Sequence, residues 1–222
     1  MKRLCIIALL LMILTGANGQ NISLRDSLKK ASDISATYPD SVDLRLRKAS
    51  LNLQLGEWQY AKDEYDYVLA KHPNNLSALY FRAYCNEKLH RYDFARLDYE
   101  NLLQIVPGNF EGTLGLALLN QKSGRVTEAY DGINRLVSQY PDSSIAYAAR
   151  AGIEQERKWY ELAETDYTKA VSLSPTNTDF INSLVSVLIE EKKYSQARKW
   201  LDRLVTLGVP KGTLLDLYKK LK

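Results

Sequence analysis

Cysteine is almost missing from this chain: Cys5 and Cys85 are the only two in 222 residues. That excludes a small scaffold stapled by disulfides, and stability has to come from packing. Histidine is equally scarce. His72 and His90 have no cysteine or acidic residue at metal-ligand spacing, which argues against a zinc site. No glycine-rich phosphate loop and no serine elbow is present, so the common signatures of nucleotide binding and acyl transfer are missing. A charge excess is lacking as well. The net value is +4, too small to indicate nucleic acid as a partner. The basic cluster Lys219, Lys220 and Lys222 reads as a solvated helix end. With 45% hydrophobic and 25% charged residues, the chain can bury a sizeable core and is not of disordered composition.

Long apolar runs are also absent beyond the first residues. Lys2 and Arg3 precede an eleven-residue apolar stretch, Leu4 to Leu14, and Ala17-Asn18-Gly19 follows with small residues at two positions. This is the pattern of a signal peptide, with cleavage expected between Gly19 and Gln20. The alternative is a retained anchor, although eleven residues fall short of the roughly 20 that a spanning helix needs. Cys5 stands before the apolar run and not at its end, which argues against a lipid-anchored form. Export to a periplasmic or secreted location follows from the cleavage reading, and no stable membrane span would remain afterwards. The mature chain would carry 28 basic against 26 acidic residues, a net charge of +2. Cys85 would then be the sole cysteine. It lies in a helical apolar pattern and reads as a buried small hydrophobe.

What the chain does have is a period. Pro39, Pro73, Pro107, Pro141 and Pro175 are spaced by 34 residues, as are Ala61, Ala95, Ala129, Ala163 and Ala197. A fixed period in this range marks a repeat architecture. The units run 42–75, 76–109, 110–143, 144–177 and 178–210. Residues 20–41 form an N-terminal half-repeat and residues 211–222 a capping helix. Each unit reads as two helices. In 76–109, Leu79, Ala83 and Asn86 recur at helical spacing, and so do Ala95, Tyr99 and Leu102. Gly56 and Gly124 mark the turn inside a unit, where His90 stands in the second. Proline followed by Asp40-Ser41, Asn74-Asn75, Gly108-Asn109, Asp142-Ser143 or Thr176-Asn177 ends one unit and caps the next.

The alanine series has a steric reason. Paired helices approach most closely near their turn, and small residues let the backbones meet. Ala49, Ala83, Ala117, Ala151 and Val185 supply the opposing series on the first helices. Bulky residues follow the second-helix alanines by four: Tyr65, Tyr99, Ile133, Tyr167 and Leu201. Comparison between units adds a charge pattern. Lys48 accompanies Glu64, Arg82 accompanies Asp98, and Arg150 accompanies Asp166, whereas Leu116 and Leu184 accompany Gly132 and Trp200. Either these are ion pairs within three hairpins or they are independent surface charges. As exposed pairs they would contribute about 0–1 kcal/mol and serve orientation more than stability.

Together these residues resemble the tetratricopeptide repeat over residues 42–210. Ala61-Tyr65-Pro73, Ala95-Tyr99-Pro107 and Ala163-Tyr167-Pro175 fit its small–aromatic–proline pattern. Ala129-Ile133-Pro141 departs at the aromatic, and Ala197-Leu201-Pro210 departs twice. The family's early tryptophan is replaced by Arg45, Leu79, Thr113, Tyr147 and Ile181. The resemblance implies an all-α fold, a right-handed superhelical solenoid of antiparallel helix hairpins, whose concave groove binds segments of other proteins. Residues 213–222 would be a solvating cap, with Leu214, Leu217, Tyr218 and Leu221 as its apolar stripe.

In that geometry the inward residues are Leu46 and Ser50; Tyr80, Phe81 and Tyr84; Leu114 and Leu118; Ala148 and Gly152; Asn182 and Ser186. The first three sets are apolar and tyrosine-rich, the last two polar and shallow. The lysine, arginine and asparagine pattern by which some members grip a terminal carboxylate is missing. Tyr80, Phe81, Tyr84, Leu114 and Leu118 either seat an apolar or aromatic partner segment or pack against neighbouring helices. The expected function is a non-catalytic protein-binding module, a scaffold or adaptor in a bacterial-type envelope, needing no cofactor. The alternative is a constitutive structural subunit of an envelope assembly. If the seam is where the period places it, Ala95→Leu should cost about 1–3 kcal/mol through overpacking. Thermal denaturation would show this as a lowered Tm, and an unchanged Tm would displace the register.

Overall fold

A computed structural model describes residues 18–221, with side chains from residue 22 onward. The apolar run Leu4–Leu14 and Cys5 lie outside the described residues. Among the described residues every regular element is helical, and the chain divides into two compact units at Gly112 and Thr113. The first unit holds α1 (Asn18–Thr37), α2 (Val42–Gln54), α3 (Trp58–Lys71), α4 (Leu76–Lys88) and α5 (Tyr92–Ile105). The second unit starts inside α6 (Phe110–Lys122). It continues through α7 (Val126–Gln139), α8 (Ser144–Glu156), α9 (Tyr160–Leu173), α10 (Thr178–Glu190) and α11 (Tyr194–Thr206). A 3-10 turn (Lys211–Leu214) and α12 (Leu215–Lys219) complete it.

The caps explain the boundaries. Ser41, Asn75, Asn109, Ser143 and Asn177, each 34 residues from the next, accept a backbone N–H from the first turn of the helix that follows. Each such cap contributes about 1 kcal/mol. The turns within the hairpins close by paired backbone bonds. Gly56 N–H donates to Leu53 and Glu57 N–H to Asn52; His90 donates to Glu87 and Arg91 to Asn86. This is the two-bond helix stop that needs a left-handed residue at its centre. Gly56 (φ +73°) and Gly124 (φ +77°) meet that need without strain, but His90, Lys158 and Lys192 also adopt φ near +60°. A side chain in that conformation costs about 1–2 kcal/mol, so three of the hairpin turns are held by their flanking helices against local preference.

The seams lie where the sequence places them. Ala61, Ala95, Ala129, Ala163 and Ala197 are fully buried, and so are Ala49, Ala83, Ala151 and Val185 opposite them. In the second unit the hairpin of α6 and α7 brings a glycine against an alanine. A Cβ added to Gly132 would stand 3.3 Å from that of Ala117, which is why glycine replaces the acidic residue of the sister units. Tyr65, Tyr99, Ile133 and Leu201 fill the adjoining core. At the end of the second unit, Leu214 and Leu221 are buried in a cluster with Leu184, Leu188, Leu201 and Leu204, and Leu217 and Tyr218 pack against it.

All three expected ion pairs form: Lys48–Glu64 at 2.6 Å, Arg82–Asp98 at 2.5 Å and Arg150–Asp166 at 2.5 Å. Their character differs from the exposed pairs expected. Side-chain exposure is 2% at Asp98 and 7% at Asp166. Each carboxylate takes two guanidinium bonds, from Nε and Nη2. Both arginines also reach the second helix of the preceding hairpin, through Nη1. Arg82 donates to Asp66 at 2.9 Å in the first unit, and Arg150 to Asn134 at 3.0 Å in the second. One guanidinium therefore ties its own hairpin together and fastens it to its neighbour, a use of the planar five-donor fork that lysine cannot copy.

Removing one partner of a buried pair leaves an uncompensated charge. Arg82→Leu should therefore destabilise the protein by about 3 kcal/mol. Arg82→Leu combined with Asp98→Ala should recover most of that loss, since it imitates the apolar solution of Leu116 and Gly132. Urea denaturation of both variants checks this. A double variant no more stable than the single one would mean that Arg82 does not hold Asp98.

Candidate functional site

The residues expected to face a groove fall into both units, and each unit presents its own surface. In the first, α4 carries Tyr80, Phe81 and Tyr84. Successive residues point in different directions around a helix, and the three rings have three roles. Tyr80 is only 9% exposed. It meets Tyr99 of α5 edge-on at 5.8 Å and Phe81 at 5.2 Å. Burial pushes its hydroxyl well above the usual tyrosine range. Tyr80 thus packs into the core of its hairpin against Tyr99, the second of the two alternatives its place in the sequence left open. Phe81 turns to the preceding hairpin and stacks on Tyr65 at 5.9 Å with its edge half-exposed.

Tyr84 is the outward member. It packs edge-on against Trp58 at 5.9 Å, and the Lys88 ammonium lies over both rings, 5.0 Å from Tyr84 and 5.8 Å from Trp58. This aromatic pair with a movable cationic cover is the part of the first unit best suited to receive another molecule: flat rings half in water, on rigid helices. Trp58 and Lys88 were missed in the sequence. The family pattern draws the groove from first helices, whereas Trp58 opens a second helix and Lys88 stands at the very end of a first one. The position of Trp58 directly behind the Gly56-Glu57 turn was the available signal.

Leu46 and Ser50 on α2 are half-buried, and the Ser50 hydroxyl and carbonyl both accept from Gln54. In the second unit Leu114 is half-buried and Leu118 is 40% exposed. Asn182 is exposed, and its carbonyl accepts the Ser186 hydroxyl. Ala148 is half-buried. Gly152 borders a cavity of about 560 Å³ with Gln155, Glu156, Tyr160, Tyr167 and Glu190. A Cβ on Gly152 would reach within 3.7 Å of the Tyr167 hydroxyl, so the missing side chain leaves that depression open. Beyond Leu114 and Leu118, the second unit's set is small or polar, where the first unit's is aromatic.

Other chemistry-bearing groups are occupied structurally. Cys85 is fully buried, and burial pushes its thiol up to about 12, so the nucleophilic thiolate is suppressed at neutral pH. His90 occupies a hairpin turn, with Nδ1 3.0 Å from the Tyr92 hydroxyl. Among the described residues no group of three or more His, Cys, Asp or Glu side chains is placed to hold a metal ion, and no helix is long and apolar enough to cross a membrane.

Comparison with known proteins agrees with this geometry. Two tetratricopeptide repeat family models match, over residues 46–110 and 113–143. Stress-induced-phosphoprotein 1 of Caenorhabditis elegans is 31% identical over 67 residues; the match covers 30% of this chain and 21% of that protein's length. Among solved structures, a tetratricopeptide repeat protein from Parabacteroides merdae superposes with a TM-score of 0.74 at 22% identity. That superposition covers 91% of this chain and 79% of the other. YrrB, a tetratricopeptide repeat protein with an unusual peptide-binding site, gives 0.56 at 15% identity, covering 80% of this chain and 91% of its own. The family models match parts of the chain, and the solved structures share its all-helical fold of hairpin repeats.

Proposed function

We propose that this chain is a non-catalytic interaction module that holds a segment of a partner protein, acting as a scaffold or adaptor after export to the cell envelope. Proteins of the tetratricopeptide repeat family generally mediate protein–protein interaction, and a peptide-binding neighbour of the same fold supports the class. The observation that carries the reading is the Trp58–Tyr84 pair beneath Lys88. Tyrosine and tryptophan dominate the energetics of protein interfaces. A segment with an apolar or aromatic side chain can displace the lysine cover and bury both rings. The apolar run and small-residue sequence before Gln20 support the export part of the reading.

A second reading, a permanent structural subunit, is favoured by a different surface. Tyr60 and Phe94 occupy the same register on α3 and α5 and are both about two-thirds exposed, with Leu97 one turn from Phe94. Apolar residues grouped in the open mark obligate contacts. A chain of the first kind purifies as a stable monomer, and one of the second kind self-associates through this strip.

The test is site-specific crosslinking. A photoreactive residue at Tyr84 should capture one discrete envelope protein, and Trp58→Ala should remove that product with the melting curve little changed. The same photoreactive residue at Asp63, exposed on α3, should give no such product. Equal capture from both positions, or capture indifferent to Trp58→Ala, would overturn the assignment of the partner face.

A further inference from the structure

One register of the repeat is buried in every unit. It holds Asn52, Asn86, Asn120, Glu154 and Leu188, each 34 residues from the next and none more than 4% exposed. Four of the five are neutral, and Glu154 in the second unit is the acid. It stands beside the Arg150 clamp. Arg150 gives Nε and Nη2 to Asp166 and Nη1 to Asn134, and its Nε lies 4.0 Å from Glu154 Oε1. The same Oε1 accepts the Tyr130 hydroxyl at 2.8 Å. Glu154 Oε2 is buried and has no hydrogen-bond partner among the described residues.

The groups around Glu154 do not balance a second negative charge. Asp166 of α9 is another carboxylate, Arg150 of its own helix is the cation, and Tyr130 of α7 and Tyr167 of α9 are neutral phenols. Arg157 lies farther out, over the Trp159 ring that meets Tyr130 edge-on at 5.5 Å. One guanidinium therefore faces two carboxylates, and its two carboxylate bonds both go to Asp166. The matching residue of the first unit acts differently. Asn86 donates its amide to Asp98, the carboxylate of that clamp, at 3.4 Å. An ionised carboxyl in this place has no donor and repels the clamp's acid, whereas a protonated one regains an O–H donor. Burial first, and the Asp166 charge with it, pushes the Glu154 carboxyl above its ordinary value, against the pull of the Tyr130 bond and of Arg150.

We propose that Glu154 is a proton-operated joint between the α6–α7 and α8–α9 hairpins of the second unit. With its proton it stands in for the neutral asparagine of the sister units. Without it, two carboxylates compete for Arg150, and the bond from Arg150 to Asn134 across the hairpin boundary loosens. In an unfolded chain a glutamate titrates near about 4.3. Folded, Glu154 keeps its proton to higher pH. Its contribution to stability is therefore complete below about 4.3 and is lost as the pH rises through the folded value. A carboxylate satisfied by a guanidinium behaves in the opposite sense, losing stability as the pH falls. The joint is separate from the Trp58–Tyr84 face and stands or falls independently of it.

The experiment is a pH titration of the full chain followed by NMR of the side-chain carboxyl carbons. The Glu154 signal, assigned by its loss in Glu154→Gln, should titrate at higher pH than those of exposed glutamates. Tyr130→Phe should move it higher still, because that phenol donates to the ionised form, and this shift also identifies the signal if Glu154→Gln folds poorly. The Arg150 Nε–H resonance should shift with the same midpoint in the parent and show no such step in Glu154→Gln. The Tm of the parent minus that of Glu154→Gln should fall as the pH is raised from about 4.3 to neutral. A Glu154 signal that titrates with the exposed glutamates, an Arg150 resonance indifferent to its midpoint, or a Tm difference constant over that interval would each overturn the proposal.

Discussion

Side-chain volume at the hairpin crossings is the constraint on which the rest of the structure depends. Five second-helix alanines and their small partners on the first helices are all sealed from solvent. A side chain larger than a methyl group at the second-helix alanines would press on the facing helix, because close-packed interiors yield little. At the crossing of Ala117 and Gly132 even a methyl group on the second helix would press on its neighbour. Once the backbones are in contact there, the bulky residue four positions later is forced into the core. The chain must then turn within three residues, and it does so through a left-handed residue even where that residue is His90, Lys158 or Lys192.

The arginine clamps are the second layer. They put a charge where Leu116 and Leu184 stand in the sister units, and they do so in alternate hairpins. A buried ion pair adds little stability over a well-packed apolar pair. Its value here is directional, since a guanidinium with one carboxylate in its own hairpin and one acceptor in the preceding hairpin fixes the rotation between them. Arg82 and Arg150 make the same three-way arrangement in the two units, with Asp66 and Asn134 as the outer acceptors. In a repeat protein, stability is close to a sum of unit and nearest-neighbour contributions. The clamps belong to the nearest-neighbour part.

Much of this was legible in the sequence because the repeats act as an internal comparison. The prolines gave the period, the alanines the seam, and the covariation of Lys48/Glu64, Arg82/Asp98 and Arg150/Asp166 the pairing. What the covariation could not reveal was burial. Charged residues at a fixed register read as surface, and only the packing of the second helices shows that Asp98 and Asp166 are enclosed. The bridge to Asp66 and Asn134 was hidden because the outer acceptor changes chemical type between units. Tyr80 stayed open between two readings for a related reason: a tyrosine on a first helix looks the same whether it faces a groove or its own hairpin, and rotation about the helix axis decides which. Trp58 lies just behind a turn at the start of a second helix, where the family pattern directs no attention.

The candidate surface follows from the same frame. Rigid hairpins hold rings and charges at fixed spacing without spending binding energy on ordering them. The first unit offers aromatic area beneath a lysine. That surface does not exist if the seam does not hold. Native-state hydrogen exchange tests the seam directly. In the first unit, the amides of Ala61, Tyr65, Ala95 and Tyr99 should open only with the whole unit, at a free energy equal to its unfolding by denaturant. Exchange of those amides through local openings, at free energies well below that of unfolding the unit, would contradict the account.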